Sequence, residues 1–172
     1  MKSARGIAGL LAALLWGGVA VRSAEPQPNF SGTWVLDRTR SSIPSTREIP
    51  EWLLAVGELT LAIDHQGATL KIERRVKALL VERSFVATYY TDGREVVNIN
   101  PRGQPVHSRS YWQGSALITE LRGTVEWNGK MQTMKGRDSL RLSDDGRLLI
   151  LESVRRFEGD DTQQVRLTFV KP

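Results

Sequence analysis

From Glu58 onward, apolar side chains recur at every second position, first as Leu59, Leu61 and Ile63 and then as Leu70 and Ile72, with polar residues between them. A period of two marks a half-buried strand. Turn-forming clusters divide the runs at short intervals: HQGA, TDGR, NPRGQP, WQGS, WNGK, SDDGR and EGDD. Asn128-Gly129 and Asp92-Gly93 are the strongest, because a tight hairpin turn needs positive φ at its central residues. The pattern predicts an all-β chain of about 8–10 strands in a single antiparallel up-and-down barrel, a closure that leaves no open edge. One short helix is expected between the first two strands. It would begin with Pro50 at its first position and stop before Gly57, at the end of the irregular stretch RTRSSIPSTREIPEWLLAVG. That stretch reads as a surface connection whose Trp52, Leu53 and Leu54 cover one barrel end, or as a lid.

If the turns are two-residue loops, register follows, and register decides which side chains share a face. A turn at Gln66-Gly67 sets Ile63 against Leu70, Leu61 against Ile72 and Leu59 against Arg74. A turn at Asn128-Gly129 sets Trp127 against Lys130, Gly123 against Met134 and Leu117 against Leu140. Around Gln113-Gly114, Trp112 meets Ser115 and Ser110 meets Leu117; Trp112 and Ser110 then point inward and His107, Arg109 and Tyr111 outward. Around Gly159-Asp160, Val154 meets Val165 and Ile150 meets Phe169, while a short turn in SDDGR sets Leu140 against Ile150 and Asp138 against Glu152. This parity sends Arg74, Asp138, Glu152 and Arg156 inward among apolar neighbours. A charge inside a small barrel is costly unless it is paired or meets water. Either these four form an internal network, or they line a wet cavity that receives the polar or anionic group of a ligand.

Residues 1–23 stand apart from this pattern. Lys2 and Arg5 precede an apolar run from Ile7 to Val21, and small residues end it, which is the layout of a secretory signal peptide. The domain boundaries expected are a signal peptide at 1–23, a spacer at 24–29 and one barrel domain at 30–172. Removing Lys2, Arg5 and Arg22 takes the 24 basic residues to 21 against 19 acidic ones, so much of the basic balance belongs to the leader. The remaining cations are interspersed with acids, as in KIERRVK, which argues against a nucleic-acid partner. There is no cysteine. An exported domain without disulfides is held by its core and ladder alone. An exported, periplasmic or secreted monomer is expected, without stable membrane insertion once the leader is removed.

The first strand supplies a motif. Gly32-Thr33-Trp34, within FSGTWVLD at the head of a β-meander, resembles the Gly-X-Trp opening of the lipocalins and their calycin relatives, and the hairpin-rich body with Asp-Gly turns resembles exported bacterial lipocalin-like domains. The resemblance spans Phe30 to Val170 in architecture. It implies that Trp34 sits at the closed end of the barrel with Gly32 letting the chain pass close beneath, and that an arginine near the last strand packs over Trp34. Arg166 is nearest, but its parity points outward.

Conventional chemistry is scarce. His65, placed at a turn, and His107, facing outward, read as solvated surface histidines rather than ligands, and no metal or other cofactor is expected. The binding reading is a small hydrophobic or amphipathic ligand, in particular an acid, held inside the barrel. Arg74 and Arg156 would meet its head group, Glu152 and Asp138 would share the polar layer, and Trp112 and Trp127 would supply apolar wall. Two other readings stand beside it. A filled barrel would suit a protein-interaction or inhibitor module. An Asp138/Glu152 carboxylate pair with split pKa values would suit a hydrolase or isomerase.

Overall fold

The computed structural model describes residues 27–42, 57–78, 81–127, 129–159 and 162–172. Ten antiparallel strands follow one another: β1 Gly32–Leu36, β2 Glu58–Gln66, β3 Thr69–Ala78, β4 Val81–Tyr90, β5 Asp92–Ile99, β6 Pro105–Gln113, β7 Ala116–Trp127, β8 Lys130–Leu142, β9 Leu148–Phe157 and β10 Gln163–Val170. Each pairs with its sequence neighbours except at one place, between β4 and β5. β1 pairs with β10 as well as β2, and β4 and β5 stand at opposite ends of the ladder order. Asn98 of β5 spans that seam, its Oδ1 accepting from the Thr88 N–H at 2.9 Å and its Nδ2 donating to the Thr88 carbonyl at 2.8 Å. The result is an up-and-down, nearly closed barrel.

The expected helix before Gly57 lies outside the described residues, as do the leader and Trp52, Leu53 and Leu54. The described part of that connection holds a single 3-10 turn at Arg38–Arg40, capped by Asp37, whose side chain accepts from the Thr39 and Arg40 N–H groups. Among the described residues no helix is long and apolar enough to cross a membrane.

Turn chemistry explains the registers. Around residues 128 and 129, Trp127 pairs with Lys130 and Leu117 with Leu140, as the Asn-Gly signal implies. Two other hairpins slide by two residues: Ile63 pairs with Ile72 and Leu61 with Arg74 around Gly67-Ala68, and Trp112 pairs with Leu117 around Gly114-Ser115. Asparagine tolerates positive φ and glutamine does not, so in both Gln-Gly sequences the glycine itself, at φ 56° and 60°, opens the turn. An even slide preserves every face, and the inward set of β2, β3, β6 and β7 is as expected.

β9 is inverted. Its partners are Leu140 with Leu151 and Asp138 with Ser153 on one side, and Val165 with Ser153 and Phe169 with Leu149 on the other. Both flanking loops differ from the assumed two-residue turns, and an odd displacement turns every side chain to the other face. The β8–β9 loop is held by Ser143, which donates its N–H to the Leu148 carbonyl and its hydroxyl to Asp145. Leu149, Leu151, Ser153, Arg155 and Phe157 therefore face the interior. Glu152 and Arg156 face outward, a correction to the inward placement parity gave them. Glu152 lies 3.8 Å from Arg166 on the outer surface.

The core is concentrated at the end bearing the β2–β3, β6–β7 and β8–β9 turns, where Phe30, Trp34, Leu70, Leu117, Leu149 and Phe169 are almost wholly buried. A smaller cluster of Val125, Met134 and Phe157 lies toward the other end. Between the two the inward residues become polar.

Candidate functional site

The barrel floor is aromatic. Phe30, His65 and Trp112 stack with centroids 5.6 to 6.1 Å apart, and the Trp34 indole N–H donates to the Phe30 carbonyl at 2.9 Å. His65 is thus a buried core residue and not the solvated turn histidine of the sequence reading. Its Nδ1 accepts from the Phe30 N–H at 3.3 Å, and burial lowers its pKa from the ordinary value of 6.5. The two-residue slide of the β2–β3 turn accounts for this, since it carries the ladder through His65 and pairs it with Leu70. The Trp34 ring is covered by Lys171, whose Nζ stands 4.9 Å from its centroid, while Arg166 points outward. Gly32, at φ 131°, lies beneath that lysine, and a Cβ there would meet Lys171 Cε at 3.6 Å.

Above the floor comes a polar layer. Arg74 of β3 points inward and donates to the Tyr89 hydroxyl at 3.4 Å. The charge environment raises its pKa above the ordinary value, chiefly through Tyr89 and also through Asp138, so the guanidinium is permanently cationic. Asp138 of β8 also points inward, but its partner is Arg155. The guanidinium grips both carboxylate oxygens, Nη1 to Oδ1 at 2.6 Å and Nη2 to Oδ2 at 2.9 Å. Such fork-to-fork bonding is the strong, oriented form of the ion pair. It is made possible by Gly136, the strand partner of Arg155: a Cβ on Gly136 would fall 2.8 Å from Arg155 Cδ and 2.9 Å from its Nη1. The arginine lies flat across the glycine to reach Asp138. Ser110 and Thr119 complete the layer, their hydroxyl oxygens 2.8 Å apart.

The sequence-derived candidates divide accordingly. Arg74, Asp138, Trp112 and Trp127 point into the barrel; Trp112 belongs to the floor and Trp127 stacks on Phe157 at 4.5 Å near the other end. Arg156 and Glu152 do not join them. Asp138 and Glu152 lie on opposite faces of the sheet, so the carboxylate pair on which a hydrolase or isomerase would rest is not formed. Sequence reasoning missed Arg155, concealed by the β9 inversion, and Tyr89, one of two adjacent tyrosines that alternation alone does not rank. The Trp112 Nε1 is buried with no hydrogen-bond partner among the described residues.

Arg74, Tyr89, Thr119 and Asp138, with apolar neighbours that include Leu117 and Leu140, line a cavity of about 30 Å³. That is room on the order of one or two water molecules. A larger guest must displace side chains.

Solved structures share this barrel. The zebrafish ileal bile acid-binding protein complexed with cholic acid is similar over 83% of this chain and 98% of its own, with a TM-score of 0.56 at 13% identity. The Schistosoma mansoni fatty acid binding protein in complex with arachidonic acid is similar over 83% and 96%, with a TM-score of 0.50 at 14% identity. The likeness is one of fold, an antiparallel up-and-down β-barrel, here of ten strands. No family model matches the sequence, and no curated protein does.

Proposed function

We propose that this protein binds a small hydrophobic or amphipathic acid inside its barrel, and does so outside the cytoplasm as an exported monomer. The observation that carries the reading is Arg74. A guanidinium has five N–H donors, and among the described residues the one hydrogen bond of Arg74 goes to a phenol. The nearby carboxylate of Asp138 is engaged by Arg155 instead. An interior cation left without a bonded anion suits the carboxylate of a ligand whose apolar part replaces displaced core side chains. The barrel likeness to proteins solved with cholic acid and arachidonic acid supports the same class of guest. Export is supported by the charged, apolar and small residues of positions 1–23, the barrel domain then running from 30 to 172.

The test is calorimetric titration of a long-chain fatty acid and its methyl ester into the parent protein and Arg74→Met. The acid is expected to bind the parent more tightly than the ester, and the variant to lose most of that difference while its thermal stability is unchanged or raised. Equal losses for acid and ester would remove Arg74 from the site.

A second reading, a protein-interaction module with a filled barrel, is favoured by the smallness of the cavity and by the exposure of Val97 and Ile99 on β5, 49% and 61% respectively. It predicts that neither lipid binds and that native mass spectrometry finds the protein empty.

A further inference from the structure

We infer that the outer wall of the barrel carries a separate site, a groove across β5 to β8 that binds phosphate-bearing anions. Two neighbouring rows of outward side chains cross these strands. The first runs Glu95, Arg109, Glu120, Arg137 and alternates in sign at every step. The second, two residues along each strand, runs Val97, His107, Arg122, Lys135 and then Arg156 on β9. Its last three members are cations set directly opposite one another on adjacent strands. Like charges so placed destabilise a sheet, and strands about 4.8 Å apart hold them well within the screening length of physiological salt.

A wall needed only for solubility gains nothing from such a row, and the alternating row beside it shows the balanced arrangement. The carboxylate nearest the cation row, Glu95, is already used: it accepts from Arg122 Nη2 at 2.7 Å and meets His107 Nδ1 at 3.0 Å. Glu120 accepts from the Tyr111 hydroxyl at 3.1 Å. Lys135 and Arg156 have no ion-pair partner among the described residues. Three members of the row, His107, Arg122 and Lys135, border an open groove of about 450 Å³ that is also walled by Arg109 and Arg137 with those two glutamates. This is the size of a small-ligand site. Arg109 now donates to the Gly93 carbonyl and Arg137 to the Tyr111 hydroxyl and the Gln113 side-chain oxygen, so an anion with clustered phosphate oxygens would draw these guanidinium groups from neutral acceptors to join Lys135. Because these side chains and Arg74 are on opposite faces of the wall, the site is independent of the interior one.

Two sources share that chemistry, soluble polyphosphates and phosphomonoester lipid headgroups, and the probes separate them. Sodium tripolyphosphate is titrated calorimetrically at low and moderate salt, and phosphatidic acid vesicles are compared with phosphatidylcholine vesicles by co-sedimentation. The variants are Lys135→Glu, Arg74→Met for the interior, and Arg147→Glu as a control on the exposed β8–β9 turn. Binding of at least one phosphate probe is expected, weakening with salt, reduced about tenfold or more in Lys135→Glu and kept by Arg74→Met and Arg147→Glu. The melting temperature of Lys135→Glu without anion is expected to equal or exceed that of the parent, because the substitution relieves the repulsion. Tripolyphosphate binding without vesicle binding assigns a soluble ligand, and vesicle binding alone assigns a headgroup. Binding by neither probe, or equal losses in Lys135→Glu and Arg147→Glu, would overturn the site.

Discussion

Gly136 shows how one missing methyl group shapes the interior. Because the Arg155 side chain lies across it, Gly136→Ala is expected to push the guanidinium off Asp138 and leave a buried carboxylate poorly paired. The expected cost is about 1–3 kcal/mol, read by urea denaturation, and a subsequent Asp138→Asn should add little because the pair is already broken. His65 makes a pH prediction. Its folded-state pKa lies below 6.5, so as pH falls through that value the unfolded chain takes up a proton that the folded chain refuses. Thermal stability should therefore decline from about pH 6.5 downward, before the carboxylates contribute below about pH 5. Protonation would also cost the Phe30 N–H its acceptor. Melting temperatures measured across this window should fall in the parent, and His65→Gln should flatten the slope.

At the scale of the strand, β9 is the instructive case. LLILESVRRF offers two nearly equivalent faces: Leu149, Leu151, Ser153, Arg155 and Phe157 on one, Leu148, Ile150, Glu152, Val154 and Arg156 on the other. Each has aliphatic residues at one end and an arginine near the other, so alternation does not choose between them. The flanking loops choose. The chain has no cysteine, so single replacements test the outcome cleanly. In the native protein Glu152→Cys and Arg156→Cys should react with a thiol reagent nearly as fast as in denaturant, whereas Ser153→Cys should be markedly protected. The reverse order would restore the face expected from two-residue turns. β8 gives the contrast: paired with β7 in the register that the Asn-Gly sequence predicts, it holds Asp138 and Leu140 inward as its pattern implied.

For the molecule as a whole, the cavity beside Arg74 holds only about 30 Å³, so the proposed binding of a lipid there requires side chains to move. Association that needs such a rearrangement is slower than encounter. Stopped-flow mixing with a fluorescent fatty acid is expected to give a rate that saturates with ligand concentration, while a rate rising linearly to high concentration would mean that the space already exists. The strand count, the barrel class and the inward placement of Arg74, Asp138, Trp112 and Trp127 were legible in the sequence. Alternation and turn residues act locally, and a slide of two leaves faces unchanged. The closure of β1 on β10, the Asn98 seam, the inversion of β9 with its Arg155–Asp138 pair and the outer row of cations were settled by tertiary structure. His107, Arg122, Lys135 and Arg156 are far apart in the chain and interspersed with acids, and only the summed registers of three hairpins bring them side by side. Local composition carries no record of such a sum, because each register depends on the length of a loop whose residues never enter the row.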